Sequence, residues 1–212
     1  MRLLADLDEA EDRAGPESSG TYLPIRLQLL SKMKDIDRLK HEFDKCKKVV
    51  DYAKNEPLIL AMGVVLKEML GKDRDAIDLY RASLAAGFNG KVAGALISTL
   101  CMIGEAGDAA KVLDRWGHYF PDDFMNDLRI EILEAGGELD AALQLVEQWA
   151  VKSGTAPVHH KLYLLLKKCE WKAAETYARS ILEPINFSPD ATADIVNFEL
   201  SRLKNGRKVD VS

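Results

Sequence analysis

Apolar residues recur every three or four positions along most of this chain, and β-branched residues never alternate with polar ones over a strand's length. That period predicts an all-α fold. From Tyr22 onward the pattern reads as paired helices joined by short turns. The unit beginning at Pro57 shows it best: Leu60, Val64 and Lys67 follow at helical spacing, Gly71-Lys72-Asp73 interrupts, and Asp75 precedes a second helix with Ala76, Tyr80 and Ser83. Proline suits a first helical turn because its missing N–H would lack a partner there anyway, and glycine just past a helix end can take the left-handed backbone that closes it.

The unit recurs. Ala76, Ala109, Ala141 and Ala173 each open a helical segment at steps of 33, 32 and 32 residues, and a bulky side chain follows four positions later at Tyr80, Leu113, Leu145 and Tyr177. Small and large side chains one turn apart on a single face, at a near-constant period, predict a helical repeat array. Upstream, Leu23, Leu27 and Leu30 followed by Leu39, Phe43 and Cys46 form a degenerate first unit, its step to Ala76 lengthened to 37 residues by an insertion near Asp51 to Glu56.

The predicted organisation is an acidic helix and linker over 1–19, the array over 20–187, a C-terminal capping helix over 188–205 and a tail over 206–212. The cap follows from Ser188-Pro189-Asp190, from Ile195, Phe198 and Leu203 at helical spacing, and from the stop at Asn205-Gly206. A terminal unit needs a more polar outer face because nothing stacks on it.

These positions resemble the tetratricopeptide repeat superfamily over residues 21 to 204. The carriers are Gly71, Ala76, Tyr80 and Ser83; Gly104, Ala109, Leu113 and Pro121; Gly136, Ala141 and Leu145; and Ala173, Tyr177 and Ser180. The chain departs from the family where its first-helix aromatic is replaced by Leu60, Ala93, Met125 and Pro157, and where Val64, Ile97, Arg129 and Lys161 occupy the usual Gly or Ala position. The resemblance implies a right-handed α-solenoid of about five helix-turn-helix repeats with a C-terminal cap, whose first helices line a concave groove. Projected on that template, the groove positions are Thr21 and Gln28; Leu58, Ala61, Val65 and Glu68; Lys91, Gly94 and Ser98; Asp123, Asn126 and Ile130; Val158 and Leu162; and Asp190, Asp194 and Asn197 on the cap. The expected binding residues are Gln28, Glu68, Lys91, Ser98, Asp123, Asn126, Asp194 and Asn197. Lys91 and Asn126 are the counterparts of a carboxylate-holding clamp, but Leu58 and Ala61 stand where further donors would be needed.

The expected function is a protein–protein interaction scaffold or adaptor that takes a peptide or helix in the groove. The alternatives are an RNA-binding helical array like the pentatricopeptide family, or the regulatory or oligomerisation portion of a larger multidomain protein. With 29 basic and 34 acidic residues the formal charge is −5, which disfavours a phosphate-tracking surface. Cys46, Cys101 and Cys169 are odd in number and far apart, so a reducing, cytoplasmic setting is expected over a disulfide framework. No stretch approaches the roughly 18 uninterrupted apolar residues of a membrane span.

Candidate chemistry is sparse. His159 and His160 with Cys169 offer zinc-ligand types, but adjacent helical residues point about 100° apart, so no metal site is assigned. His118 lacks a nucleophile or acid partner at a recognisable spacing, and acidic pairs such as Asp122-Asp123 suit helix starts. No catalytic residue and no cofactor are assigned, and a non-enzymatic protein is expected.

Overall fold

The computed structural model describes residues 6–7, 9–10, 13, 19–52, 54–153 and 158–182. Among them all regular structure is helical: α1 (Ser19–Met33), α2 (Ile36–Val49), α3 (Glu56–Val64), α4 (Asp73–Ala86), α5 (Gly90–Met102), α6 (Ala106–Trp116), α7 (Asp122–Ala135), α8 (Leu139–Ser153), α9 (Val158–Lys167) and α10 (Trp171–Leu182). The described residues of the N-terminal segment are helical, and the expected cap over 188–205 lies outside the described residues. No described helix is long and apolar enough to cross a membrane.

The chain divides into two compact units at the Gly136-Gly137 turn. In the first, α1 packs on α2, α3 on α4 and α5 on α6, while α1, α3, α5 and α7 also touch one another in succession. Composition explains this layering. Helix α3 is apolar nearly all round, with Leu58, Ile59, Ala61 and Met62 all buried, because it is enclosed by α1, α2, α4 and α5. Helix α6 buries only Ala109 and Leu113 and keeps its remaining faces polar or partly exposed. One continuous core runs from Leu23 to Leu128. In the second unit α9 packs on α8 and α10, and Leu162, Leu165, Leu166, Ala174 and Ala178 form a smaller core.

One backbone device recurs in both units. Lys34, Gly71, Gly104, Gly137 and Cys169 all have positive φ, at 56°, 61°, 79°, 79° and 62°. After three of these helix ends, the N–H of Asp35, Glu105 and Glu170 reaches back to the carbonyls of Leu30, Leu100 and Leu165, closing the helix with the wide hydrogen bond of a Schellman turn. Five residues beyond each left-handed position lies a fully buried residue: Leu39, Ala76, Ala109, Ala142 and Ala174. Four further on lies a second buried residue: Phe43, Tyr80, Leu113, Val146 and Ala178.

This corrects the sequence register in α8 and α10. Ala141 is only half-buried and Ala173 is exposed; their neighbours Ala142 and Ala174 occupy the core position. Both sites are Ala-Ala pairs, in which periodicity alone cannot tell which alanine faces inward. Counting five residues from Gly137 resolves the first pair.

A second shift occurs in α3, which runs on into a π-helical turn over Val65–Met69. The N–H of Leu70 bonds to the carbonyl of Val65, so the turn holds one more residue than an α-turn. Gly63, rather than Val64, therefore lies beneath Tyr80, whose ring is buried directly against the Gly63 backbone.

Candidate functional site

The first helices of successive hairpins are stitched together by polar side chains. At their N-terminal ends, Glu56 on α3 accepts hydrogen bonds from Asn89 Nδ2 (2.6 Å) and Lys91 Nζ (2.8 Å). Asn89 also caps α5 by accepting from the Val92 N–H. These donors hold the Glu56 carboxyl below the usual glutamate range, Lys91 contributing most. Lys91, expected as a carboxylate clamp, is thus engaged by a carboxylate of its own chain.

Farther along the same helices, Ser98 Oγ on α5 donates to Glu131 Oε2 on α7 at 2.8 Å. Burial pushes the Glu131 carboxyl up, the Ser98 hydrogen bond opposes that, and Glu134 adds to it. Lys67, from the π-turn, acts on the same carboxylate in the opposite sense to Glu134. Beneath this row lies Cys101, its thiol pushed up to about 12 by burial, with the Glu131 and Glu134 charges adding. The row also carries apolar surface at Val64 (38% exposed) and Met102 (51% exposed).

The expected binding residues fall in three groups. Gln28, Glu68 and Asp123 are exposed on α1, the π-turn and α7, while Ser98 and Asn126 are half-buried on α5 and α7. Asp194 and Asn197 lie outside the described residues, as does Asp190. Leu58, Ala61, Val65, Gly94, Ile130 and Leu162, projected onto the groove, are instead buried.

Register explains the failures on α3 and α7. In α3 the extra residue of the π-turn moves the outward row to Leu60, Val64 and Lys67, which are exposed or half-buried. In α7 the row facing α5 is Phe124, Asp127 and Glu131 rather than Asp123, Asn126 and Ile130. Phe124 packs over the Gly94 backbone and Glu131 bonds Ser98, which fixes that facing directly. Sequence reasoning therefore missed Lys67 and Glu131, each one residue from a projected position.

A separate cleft of about 890 Å³ opens between α2 and α4. Phe43, Met62, Leu66 and Leu79 form its apolar floor, and its rim balances Lys40, Lys47 and Lys72 against Asp44, Asp75 and Asp78. The Lys47–Asp44 and Lys72–Asp75 pairs at 3.7 Å and 3.5 Å leave the rim with no charge preference.

Among the described residues, no group of three or more His, Cys, Asp or Glu side chains is placed to hold a metal ion. His159 is exposed, whereas His160 is half-buried with its ring 6.1 Å from that of Trp149. No protein-family model and no curated protein matches this chain.

Proposed function

We propose that this protein is an interaction scaffold, a tetratricopeptide-like solenoid that receives a peptide or helix of a protein partner along the first helices of its hairpins. The observation that supports this reading most is the row Val64, Lys67, Ser98, Met102 and Glu131, which spans α3, α5 and α7 and mixes exposed apolar side chains with polar groups at helical spacing. Such a surface offers separate small patches, so a bound segment gains affinity from several modest contacts. Its α3 side supplies apolar residues and Lys67, and its α7 side supplies Asp127, Glu131 and Glu134. A segment with apolar anchors and a basic residue near α7 complements that polarity. The acidic α7 side would repel phosphates, so the RNA-binding alternative gains no support here.

The test is retention of partners from cell lysate on immobilised protein, comparing wild type with Val64→Asp, Met102→Glu and Glu131→Lys, and identifying proteins and nucleic acids together. Each of these positions is surface-accessible or partly so, and circular dichroism verifies folding. A retained protein weakened several-fold by each substitution is the expected result. Retention of RNA, or a set of retained proteins indifferent to all three changes, would overturn the reading.

A further inference from the structure

A second surface lies between the second helices α4 and α6, away from the first-helix row. Its centre is a groove of about 360 Å³ floored by Leu84, Leu96, Val112 and Trp116. That volume is at the small end of the roughly 300–1,000 Å³ range of ligand pockets and suits a few apolar side chains. The groove lining carries three cations, Arg81, Lys111 and Arg115, and no carboxylate. Asp108 flanks it and is shared by Lys111 at 2.8 Å and Arg81 at 3.7 Å, so one carboxylate answers two cations. Arg115 lies over the Trp116 ring, 4.8 Å from its centroid.

The groove continues into an aromatic ridge. Phe88 stacks against both Trp116 and Tyr119, with centroid separations of 5.0 Å and 4.5 Å. Phe88 and Tyr119 nevertheless remain 37% and 56% exposed. Tryptophan, tyrosine and arginine together are the side chains that most often anchor protein interfaces, because each offers large contact area with a polar or charged handle.

We infer that the α4–α6 groove and its aromatic ridge bind an acidic, leucine-bearing protein segment, with apolar side chains in the groove and carboxylates on Arg81, Lys111 and Arg115. Charge complementarity selects the occupant: the lining has a net excess of positive charge around an apolar floor. A single-stranded nucleic acid fits less well. Bases need open aromatic faces to stack upon, whereas Trp116 and Tyr119 each already stack on Phe88, and Asp108 adds a carboxylate beside the cations that would repel a phosphate.

The probe is a fluorescein-labelled peptide of glutamate and alanine with two leucines four residues apart, followed by fluorescence anisotropy against the full chain. A matched peptide with lysine in place of glutamate and an oligouridine of similar length serve as controls. Binding of the acidic peptide, weakened about tenfold or more by Lys111→Glu with Arg115→Glu and by raised salt, is the expected result. Both positions are exposed, and circular dichroism confirms that the variant folds. Val64→Asp and Met102→Glu should leave this binding unchanged, which separates it from the first-helix site. No saturable binding of the acidic peptide, equal binding of the lysine peptide, indifference to the double charge reversal, or preferential binding of oligouridine would each overturn the inference.

Discussion

Two glycines on neighbouring first helices should respond oppositely to the same substitution. A methyl group at Gly63 would lie 2.6 Å from Tyr80 Cε1 and closer still to Cζ and Oη. Carbon atoms settle at about 3.5–4.0 Å, so the ring would have to retreat by roughly 1.5 Å. Tyr80 is only 1% exposed and has nowhere to go. Overpacking of this kind costs up to about 3 kcal/mol, while replacing helical glycine with alanine returns about 1 kcal/mol. Gly63→Ala should therefore lose about 2 kcal/mol net. At Gly94 the methyl would meet Phe124 Cζ at 2.8 Å, but that contact is the far end of a ring that is 37% exposed and can swing outward. Gly94→Ala should be neutral or gain up to about 1 kcal/mol. Urea denaturation followed by far-UV circular dichroism separates the two, since 2 kcal/mol moves the midpoint by about 1 M at a typical slope. Adding Tyr80→Leu to Gly63→Ala should give a double variant less destabilised than the sum of the single changes, because the ring that clashes is gone. If Gly63→Ala were as stable as wild type, the close Gly63–Tyr80 packing, and the π-turn register that produces it, would be wrong.

The left-handed turns give a second contrast. Cys169 holds φ of 62° with an exposed side chain, so Cys169→Gly should raise stability by about 0.5–1 kcal/mol, as backbone relief outweighs glycine's extra chain entropy. Gly104→Ala should lose about 1 kcal/mol despite open space around it, measurable in the same denaturation series. Glu131 has a pKa raised above its unfolded value, so the native state holds this proton more tightly and loses stability as pH rises through that window. Glu131→Gln should thus be more stable than wild type at neutral pH, with the advantage vanishing below about pH 4, the ordinary glutamate range. A less stable variant at neutral pH would contradict the desolvation argument. Cys46 and Cys101 are buried with thiols pushed up to about 12, whereas Cys169 is exposed. Mass spectrometry after native alkylation should therefore find Cys169 modified and the other two protected until the chain is denatured.

Much of the architecture was legible because it depends on local chemistry. The 3.6-residue period, the glycines at the turns and the alanine four residues before a bulky side chain are consequences of backbone geometry and single-helix faces, so they predict an all-α chain of hairpins without reference to any neighbour. The lengthened step between Leu39 and Ala76 is visible for the same reason, and the structure gives the same 37-residue offset between the left-handed positions Lys34 and Gly71.

What escaped was register, and with it the candidate site. Ala141-Ala142 and Ala173-Ala174 are locally equivalent; only packing decides which alanine enters the core, and it chose Ala142 and Ala174. A π-turn leaves no mark in periodicity, since its extra residue is absorbed where α3 meets α4 and where Tyr80 demands a glycine beneath it. One residue is about 100° of helix rotation, enough to replace Ile130 by Glu131 on the surface that meets α5. Local sequence determined that helices form and where they turn. Tertiary structure decided which face of each helix is presented, because that depends on the volume and charge of residues about 30 positions away, as in Ser98 with Glu131 and Glu56 with Lys91.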